Sequence, residues 1–224
     1  MTAHPISPKL IKGGIIMVNP QTLIPVRNGP VPGGKISLQY NPDSISRTLE
    51  ASAAGGESAN RSEALRLQGP PVETIRLEAE LDATDQLDKN DRIAAEHGVQ
   101  PQLAALESLV YPTTNQIEQT RRLANSGVLE VLPPEMPLTM FIWSKSRIIP
   151  VRVTEFSVTE EAFDTELNPI RARVTLGLRV LTMNDLGFDH RGSDLFSRYH
   201  RDRESLARKN RQLKFGTFGI QGIE

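Results

Sequence analysis

The chain has 224 residues, a formal net charge of −1 at pH 7 and no cysteine. Its length fits one domain of ordinary size with an appendage, or two small domains. The absence of cysteine excludes a disulfide framework and a thiolate metal site. A charge near zero argues against a protein that binds nucleic acid over its whole surface, since such proteins are basic. No stretch approaches the roughly 18 apolar residues of a membrane span, and the first residues lack the apolar middle region of a signal peptide.

The N-terminal region, residues 1–34, is rich in proline and glycine. Two short apolar pieces, at 15–18 and 23–26, lie between these breakers, and Pro25 limits the second to a sheet edge. We predict an arm that is either loosely held or added as a strand to the sheet of a neighbouring subunit. The sequence does not choose between these two forms.

The next segment has the alternation of a β-sheet. Strands are predicted at 35–40, 45–49 and 72–81, and the third alternates polar residues with Ile75, Leu77, Ala79 and Leu81. Residues 51–63, which precede it, are small and polar. Such a composition cannot bury enough apolar surface to order itself, so this loop is expected to order only within an assembly.

Helices are predicted in the middle of the chain. Aspartates recur every third residue from Asp82 to Asp91, a spacing that does not fit a calcium loop and indicates a solvated linker. Residues 101–111 then carry an apolar stripe at helical spacing, formed by Leu103, Leu106, Leu109 and Val110. A more polar helix is predicted at 115–124. Together these make one helical insertion, about 101–124, between strands.

Three further strands are predicted at 138–143, 148–158 and 170–181. The last alternates over its whole length, with one apolar face made of Ile170, Ala172, Val174, Leu176, Leu178 and Val180. Its opposite face carries Arg171, Arg173 and Arg179. This polar face is expected to meet water, a partner or acidic groups.

The chain becomes basic after Thr182. Eight basic residues stand against four acidic ones between 189 and 214, with a sparse apolar stripe that includes Leu195 and Tyr199. This pattern is typical of a solvated basic helix. The tail, 215–223, is apolar and glycine-spaced, and we expect it to dock onto this chain or a neighbour.

The sequence has no recognisable catalytic or metal-binding motif. Its four histidines are far apart, and there is no HExxH pair, P-loop or nucleophile elbow. We therefore predict no enzymatic activity, no cofactor and no metal.

Five short motifs follow one another between Lys35 and Leu181. They are Leu38-Gln39-Tyr40-Asn41-Pro42, Gln68-Gly69-Pro70-Pro71, Pro137 with Phe141 and Trp143, Val151 to Ser157 with Phe163, and Pro169-Ile170-Arg171-Ala172-Arg173-Val174. Their order and spacing resemble the tube-like domain of contractile injection system proteins, the phage-tail-derived family that includes a LysM-bearing baseplate adaptor. The resemblance implies a mainly β (α+β) fold, with a tube-protein-like β-barrel over 35–182 and an inserted helix.

The C-terminal region, 183–224, is similar to the helical part of a LysM repeat. The matching positions are Gly192-Ser193-Asp194-Leu195, Tyr199, Leu206 and Asn210. Asp194 and Ser197-Arg198 depart from the repeat and put glycan binding in doubt. The resemblance implies a small helical LysM-like appendage, and the alternative is a solvated basic helix with a tail.

The resemblance also implies a function, which is structural. The expected role is an adaptor ring, a homo-hexamer, that links the inner tube or spike hub to the baseplate of a phage-tail-like particle assembled in the cytoplasm. The expected partners are other copies of the chain and the tube, hub and baseplate proteins, without nucleic acid. Alternatives are an inner tube or tube-initiator protein and, in another class, a peptidoglycan-binding LysM-type module.

Charged and aromatic residues are the predicted contacts in such an assembly, because arginine forks suit carboxylates of a neighbour. The predicted interface residues are Arg171, Arg173, Arg179, Arg198, Tyr199, Arg201, Arg203, Arg208, Lys209, Phe215 and Phe218.

Overall fold

One antiparallel sheet of seven strands forms the body of the protein. The computed structural model describes residues 10–27, 29–51, 66–126, 135–210 and 215–221. The strands are β1 (Gly14–Val18), β2 (Lys35–Ser37), β3 (Ile45–Glu50), β4 (Val72–Asp82), β5 (Leu138–Ser144), β6 (Arg147–Phe163) and β7 (Pro169–Val180). Their order across the sheet is β2-β1-β5-β6-β7-β4-β3. The predicted mainly β, α+β class is confirmed.

Six α-helices accompany the sheet in the described residues. They are α1 (Thr84–Asp88), α2 (Arg92–His97), α3 (Gln100–Glu107), α4 (Thr114–Asn125), α5 (Met183–Leu186) and α6 (Arg191–Arg208). A capping box begins α4: the Thr113 hydroxyl accepts from the Gln116 N–H at 3.3 Å, and the Gln116 side chain accepts from the Thr113 N–H at 2.9 Å. The predicted linker from Asp82 contains α1 and α2, two helices too short to show a helical period in the sequence.

The main core lies on one face of the sheet and follows the predicted alternation, and a smaller buried cluster of Val18, Leu138 and Met140 lies on the opposite face of β1 and β5. The apolar residues of β7 from Ala172 to Val180 that face it are at most 1% exposed. The predicted apolar face of β4 is buried as well. Leu103 and Leu106 of α3 join the same core, whereas Val110, predicted for this stripe, is 41% exposed. Burial of these side chains, at about 25 cal/mol for each Å² of apolar surface, is the main source of stability.

β1 is an inner strand of the sheet. It pairs with β2 on one side and with β5 on the other, and Ile15 is 1% exposed. The prediction of an arm over 1–34 is therefore wrong for residues 14–18. A run of five residues is too short to show from its pattern whether it pairs within its own chain or with a neighbour.

The two ends of the sheet approach each other without pairing in the described residues. β2 and β3 are the end strands. Beyond β2, the side-chain amide of Gln39 donates to the Asp82 carbonyl at 2.5 Å and accepts from the Asp82 N–H at 3.0 Å. This amide therefore joins the chain after β2 to the end of β4. Closure into a barrel stays a prediction, and the predicted loop at 51–63 lies, beyond Ala51, outside the described residues.

The helix α6 packs on the sheet as part of the same core. Phe196 and Tyr199 are 5% and 4% exposed and belong to the cluster that contains the buried side of the sheet. The helix begins where the His190 ring nitrogen Nδ1 accepts from the Gly192 N–H at 2.9 Å. Residues 191–208 are therefore an integral layer over the sheet, and the LysM-like fold of 183–224 stays a prediction.

Candidate functional site

The solvent-facing side of β4, β6 and β7 is a ladder of opposite charges. Its charged residues are Arg76, Glu78, Glu80, Asp82, Arg152, Glu155, Glu161, Arg171, Arg173 and Arg179. They alternate along each strand with the core residues, so they share the opposite face of the sheet.

The three arginines predicted on this face have acidic partners in their own chain. Arg173 lies 3.1 Å from Glu78 and also reaches two further carboxylates, those of Glu80 and Glu161, at 3.8 Å each. Arg179 pairs with Asp185 at 2.7 Å. Exposed pairs of this kind each contribute about 0–1 kcal/mol, so their main effect is to balance charge across the face. A contact between these arginines and a neighbour stays a prediction.

Asp82 ends β4 and makes contacts with both α1 and β7. Its carboxylate accepts from the Thr84 N–H at 2.8 Å at the start of α1, and lies 2.9 Å from a guanidinium nitrogen of Arg171. Hydrogen bonds from Thr84 and then the charge and hydrogen bond of Arg171 lower the pKa of Asp82 below its ordinary value of 3.8. The ionised carboxylate therefore stabilises the fold above pH 3.8, and this contribution is lost as the pH falls through the lowered pKa.

Asp82→Asn is expected to reduce the free energy of unfolding by about 1 kcal/mol at pH 6, because it weakens charge-assisted hydrogen bonds that are partly exposed. The difference from the wild-type chain should shrink as the pH falls below 3.8. Urea unfolding at pH 6 and pH 3 measures it. Asp85→Asn, an exposed aspartate on α1, is the control. An equal difference at both pH values would contradict the assigned role.

β6 is longer than its neighbour β5 and leaves an open edge. β5 pairs with β6 only from Arg147 to Val151. Over 152–163, β6 pairs with β7 on one side and with no other strand among the described residues. This edge carries no proline or lysine, and the features on it that can hinder pairing with another chain are its charged residues and a register shift between Val153 and Glu155.

The turn between β6 and β7 is held firmly and exposes apolar side chains. The Asp164 carboxylate accepts from the N–H groups of Glu166 and Asn168, each at 2.8 Å. Hydrogen bonds from Asn168 and Glu166 lower the pKa of Asp164. Phe163 is 51% exposed and Leu167 is 77% exposed. The tip of this hairpin is therefore an ordered, apolar surface.

A buried carboxylate joins α6 to the sheet. Glu73 of β4 is 2% exposed. Its Oε1 lies 2.6 Å from a guanidinium nitrogen of Arg47 on β3, and its Oε2 lies 3.0 Å from Arg203 on α6. Two arginines from different elements thus share one carboxylate, which is how a buried charge is tolerated.

Tyr199 completes this cluster. Its hydroxyl donates to Glu73 at 3.2 Å and accepts from Arg47 at 3.2 Å. Burial, and then the Glu73 charge, raise the pKa of Tyr199, so the hydroxyl stays protonated and donates. The guanidinium carbon of Arg203 lies 5.5 Å from the centre of the tyrosine ring. Tyr199, predicted to be an interface residue, is instead a core residue, because its ring and hydroxyl are both occupied within the chain.

Sequence reasoning missed Glu73 and Arg47, although a signal was present. Glu73 lies in phase with Ile75 and Leu77, the buried residues of β4. Arg47 pairs with Ile75 across β3 and β4, on the same face. A charge in phase with apolar residues indicates a buried polar contact, but the sequence does not show which element supplies the partner.

The remaining predicted interface residues lie at the outer side of α6 and in the tail. Exposed positions are Arg198, Arg201, Arg208, Lys209 and Phe218. The side chain of Phe215 lies outside the described residues. Arg203 is committed to Glu73. The assignment of the exposed residues to an interface stays a prediction.

The histidines in the described residues, His97, His190 and His200, have local structural contacts. Besides the cap made by His190, His200 lies 3.4 Å from Glu204 on the same helix. In the part of the chain that the structure describes, no group of three or more His, Cys, Asp or Glu is arranged to hold a metal ion. No helix in that part is long and apolar enough to cross a membrane.

Comparisons with known proteins give only distant likenesses. No protein-family model and no curated protein matches the chain. A chain in the virion of a native gene transfer agent particle is 10% identical, with a TM-score of 0.28 over 79% of this chain and 95% of that one. A chain in the tail of an empty gene transfer agent particle is 13% identical, with a TM-score of 0.22 over 62% and 74%. A chain in the baseplate of the anti-feeding prophage is 12% identical, with a TM-score of 0.23 over 81% and 94%. These values assign the chain to no family.

Proposed function

We propose that the chain is a structural component of a contractile injection system, an adaptor ring that links the inner tube or spike hub to the baseplate. The observation that carries this proposal is the edge of β6 over 152–163, which faces no other strand of the described part of the chain. An edge of this length is a ready template for a strand of another chain. The order of motifs from Lys35 to Leu181 supports the same assignment.

The surfaces of the sheet suit a ring subunit. The arginines of the charge ladder pair with carboxylates of the same chain, so this face of the sheet is suited to contact with water. The β6 edge and the side of β3 that faces no other described strand are two different surfaces available for contact. A contact between two different surfaces is heterologous, and such contacts close into a ring when the rotation between subunits allows it.

Glutamate at both Phe163 and Leu167 is expected to abolish assembly while leaving the fold intact, because these side chains are already largely exposed at the hairpin tip. Sedimentation and negative-stain imaging of the chain, alone and mixed with its neighbouring particle components, measure assembly. The control places glutamate at Ile24 and Leu67, which are 56% and 70% exposed. A wild-type chain that stays monomeric alone and in the mixture would refute the proposal.

Two alternatives give different outcomes in the same images. An inner tube or tube-initiator protein would build or start a stack of rings, whereas an adaptor is expected to stop at one ring. The long helix α6 and the tail favour the adaptor, since a plain tube subunit does not need them. A peptidoglycan-binding module would be retained on purified peptidoglycan. The buried position of Tyr199 disfavours this role, because its ring is not free to stack on a sugar.

A further inference from the structure

A groove lies between the edge strand β2 and the helices α2 and α3. Its volume is about 490 Å³. One wall is the continuous segment Lys35 to Gln39, and the other includes Ile93, Pro101 and Ala105. Leu81 and Leu106, both buried, lie at its base. The groove therefore combines a strand with an apolar helical wall.

The groove runs along the edge of β2 that pairs with no strand among the residues that the structure describes. Five consecutive residues, 35–39, line it, whereas the face of a strand would contribute only alternate ones. The Leu38 N–H donates to the Gly13 carbonyl at 3.0 Å, which makes this a hydrogen-bonded pair of the β1–β2 ladder. By the alternation of antiparallel ladders, Ile36 also points its peptide groups at β1. The N–H and C=O groups of Lys35 and Ser37 therefore point into the groove.

The contact between Gln39 and Asp82, next to the groove, shows which kind of group can bind along β2. Immediately after β2, the Gln39 amide takes the place of a peptide group and makes both a donor and an acceptor bond with Asp82. Along Lys35 to Ser37, the described residues supply no equivalent group. An extended backbone placed there would satisfy the peptide groups of β2 and bury its side chains against α2 and α3.

The C-terminal tail has the composition for this position. Phe218 and Ile220 are 66% and 42% exposed. Two residues apart, they would point to the same side of an extended chain, toward the apolar wall, while Gly219 faces away. Gly219 has φ of 70° in the free tail, and glycine can change to an extended conformation at little cost.

We propose that the tail segment Phe218 to Gln221 of a second copy adds to β2 and fills this groove. The occupant is a second copy because the inference rests on the proposed ring: a tail in the groove of the next subunit is a heterologous contact of the kind that closes rings. Removing Phe218 and Ile220 from water supplies the apolar part of the contact, and the peptide groups of Lys35 and Ser37 fix its register.

Engineered disulfides test this contact in the full chain, whose sequence contains no cysteine. One protein carries Gln102→Cys in the groove, and the other carries Gln221→Cys in the tail. Mixed under mild oxidation, they are expected to form a reducible heterodimer, with a yield roughly tenfold above that of a pair carrying Lys145→Cys, on the β5–β6 turn, in place of Gln102→Cys. Equal yields, or no heterodimer, would overturn the proposal.

Substitutions in β2 and the tail supply matched controls. Ser37→Pro in the groove copy removes the outward N–H without touching the β1 ladder and should abolish the cross-link, whereas Ser37→Ala should keep it. Phe218→Ala in the tail copy should reduce it. Retention of the full yield in Ser37→Pro would overturn strand addition.

Two further outcomes separate this proposal from the function itself. A chain with both cysteines that cross-links without a change of mass would show the tail in its own groove and overturn the second-copy contact. Rings that form without the cross-link would overturn the groove contact alone. A specific cross-link in a chain that does not join the particle would support the contact and contradict the adaptor role.

Discussion

Glu73→Ala is expected to lower the free energy of unfolding by about 3 kcal/mol and to loosen α6 from the sheet. The carboxylate is 2% exposed and is shared by Arg47 and Arg203. Its removal leaves two guanidinium groups and the Tyr199 hydroxyl without their common acceptor. The loss stands at the lower end of the range for buried pairs because the arginine side chains are 27% and 36% exposed.

Urea unfolding measures the loss of stability, and hydrogen exchange of the α6 amides measures the loosening. Glu78→Ala is the matched control, since this glutamate is on the same strand and also pairs with an arginine, but its side chain is 54% exposed. Its cost should stay below about 1 kcal/mol. Equal costs for the two variants would contradict the anchoring role of Glu73.

Glu73→Gln separates charge from shape. It keeps the volume and one acceptor oxygen. The free energy of unfolding of this variant should therefore lie between that of the wild-type chain and that of Glu73→Ala. Truncation of the chain after Asp189 cannot measure the contribution of Glu73. It also removes Phe196 and Tyr199 from the core and exposes the sheet beneath them.

Gly98→Ala is expected to cost about 3 kcal/mol of unfolding free energy, from a backbone conformation closed to other residues and a collision with the sheet. Gly98 ends α2 with φ of 55° and ψ of −130°. An added Cβ would overlap the Pro169 carbonyl oxygen at the start of β7 and approach its carbon at 3.0 Å. The same carbonyl accepts from the Val99 N–H at 2.8 Å, so any shift also weakens the docking of α3.

Gly187→Ala isolates the conformational part of that cost. Gly187 has φ of 83° and ψ of 158°, and an added Cβ there meets nothing within 4 Å. Its cost should be about 1–2 kcal/mol. Thermal unfolding of both variants measures the difference. If the two substitutions cost the same, the close approach between Gly98 and β7 would not constrain the fold.

The central strands could be predicted because their side chains alternate over long runs. In β7 the apolar positions from Ala172 to Val180 are all buried, and in β4 those from Ile75 to Leu81 are too. Shorter elements were harder to predict from the sequence. β1 has five residues and α1 has five, fewer than the number needed for a period to identify the element and its partner.

The candidate surfaces could be predicted only in part. The arginine face of β7 was evident from alternation, but its acidic partners come from β4, β6 and the start of α5. Tyr199 was predicted at a surface because it lies among basic residues. Its burial depends on Glu73, which is 126 positions away in the chain.

By itself, the sequence determined the longer strands, their buried faces, the presence of helices between them and the lack of cysteine chemistry. These follow from local properties: the alternation of a strand, the spacing of a helix and the identity of single residues. The tertiary structure alone decided that β1 lies inside the sheet, that α6 is anchored on Glu73, and that β2, β3 and part of β6 each have an edge that no other strand in the described ranges pairs with. Each of these depends on pairing between segments far apart in the chain, and pairing is set by the packing of the whole core rather than by any local pattern.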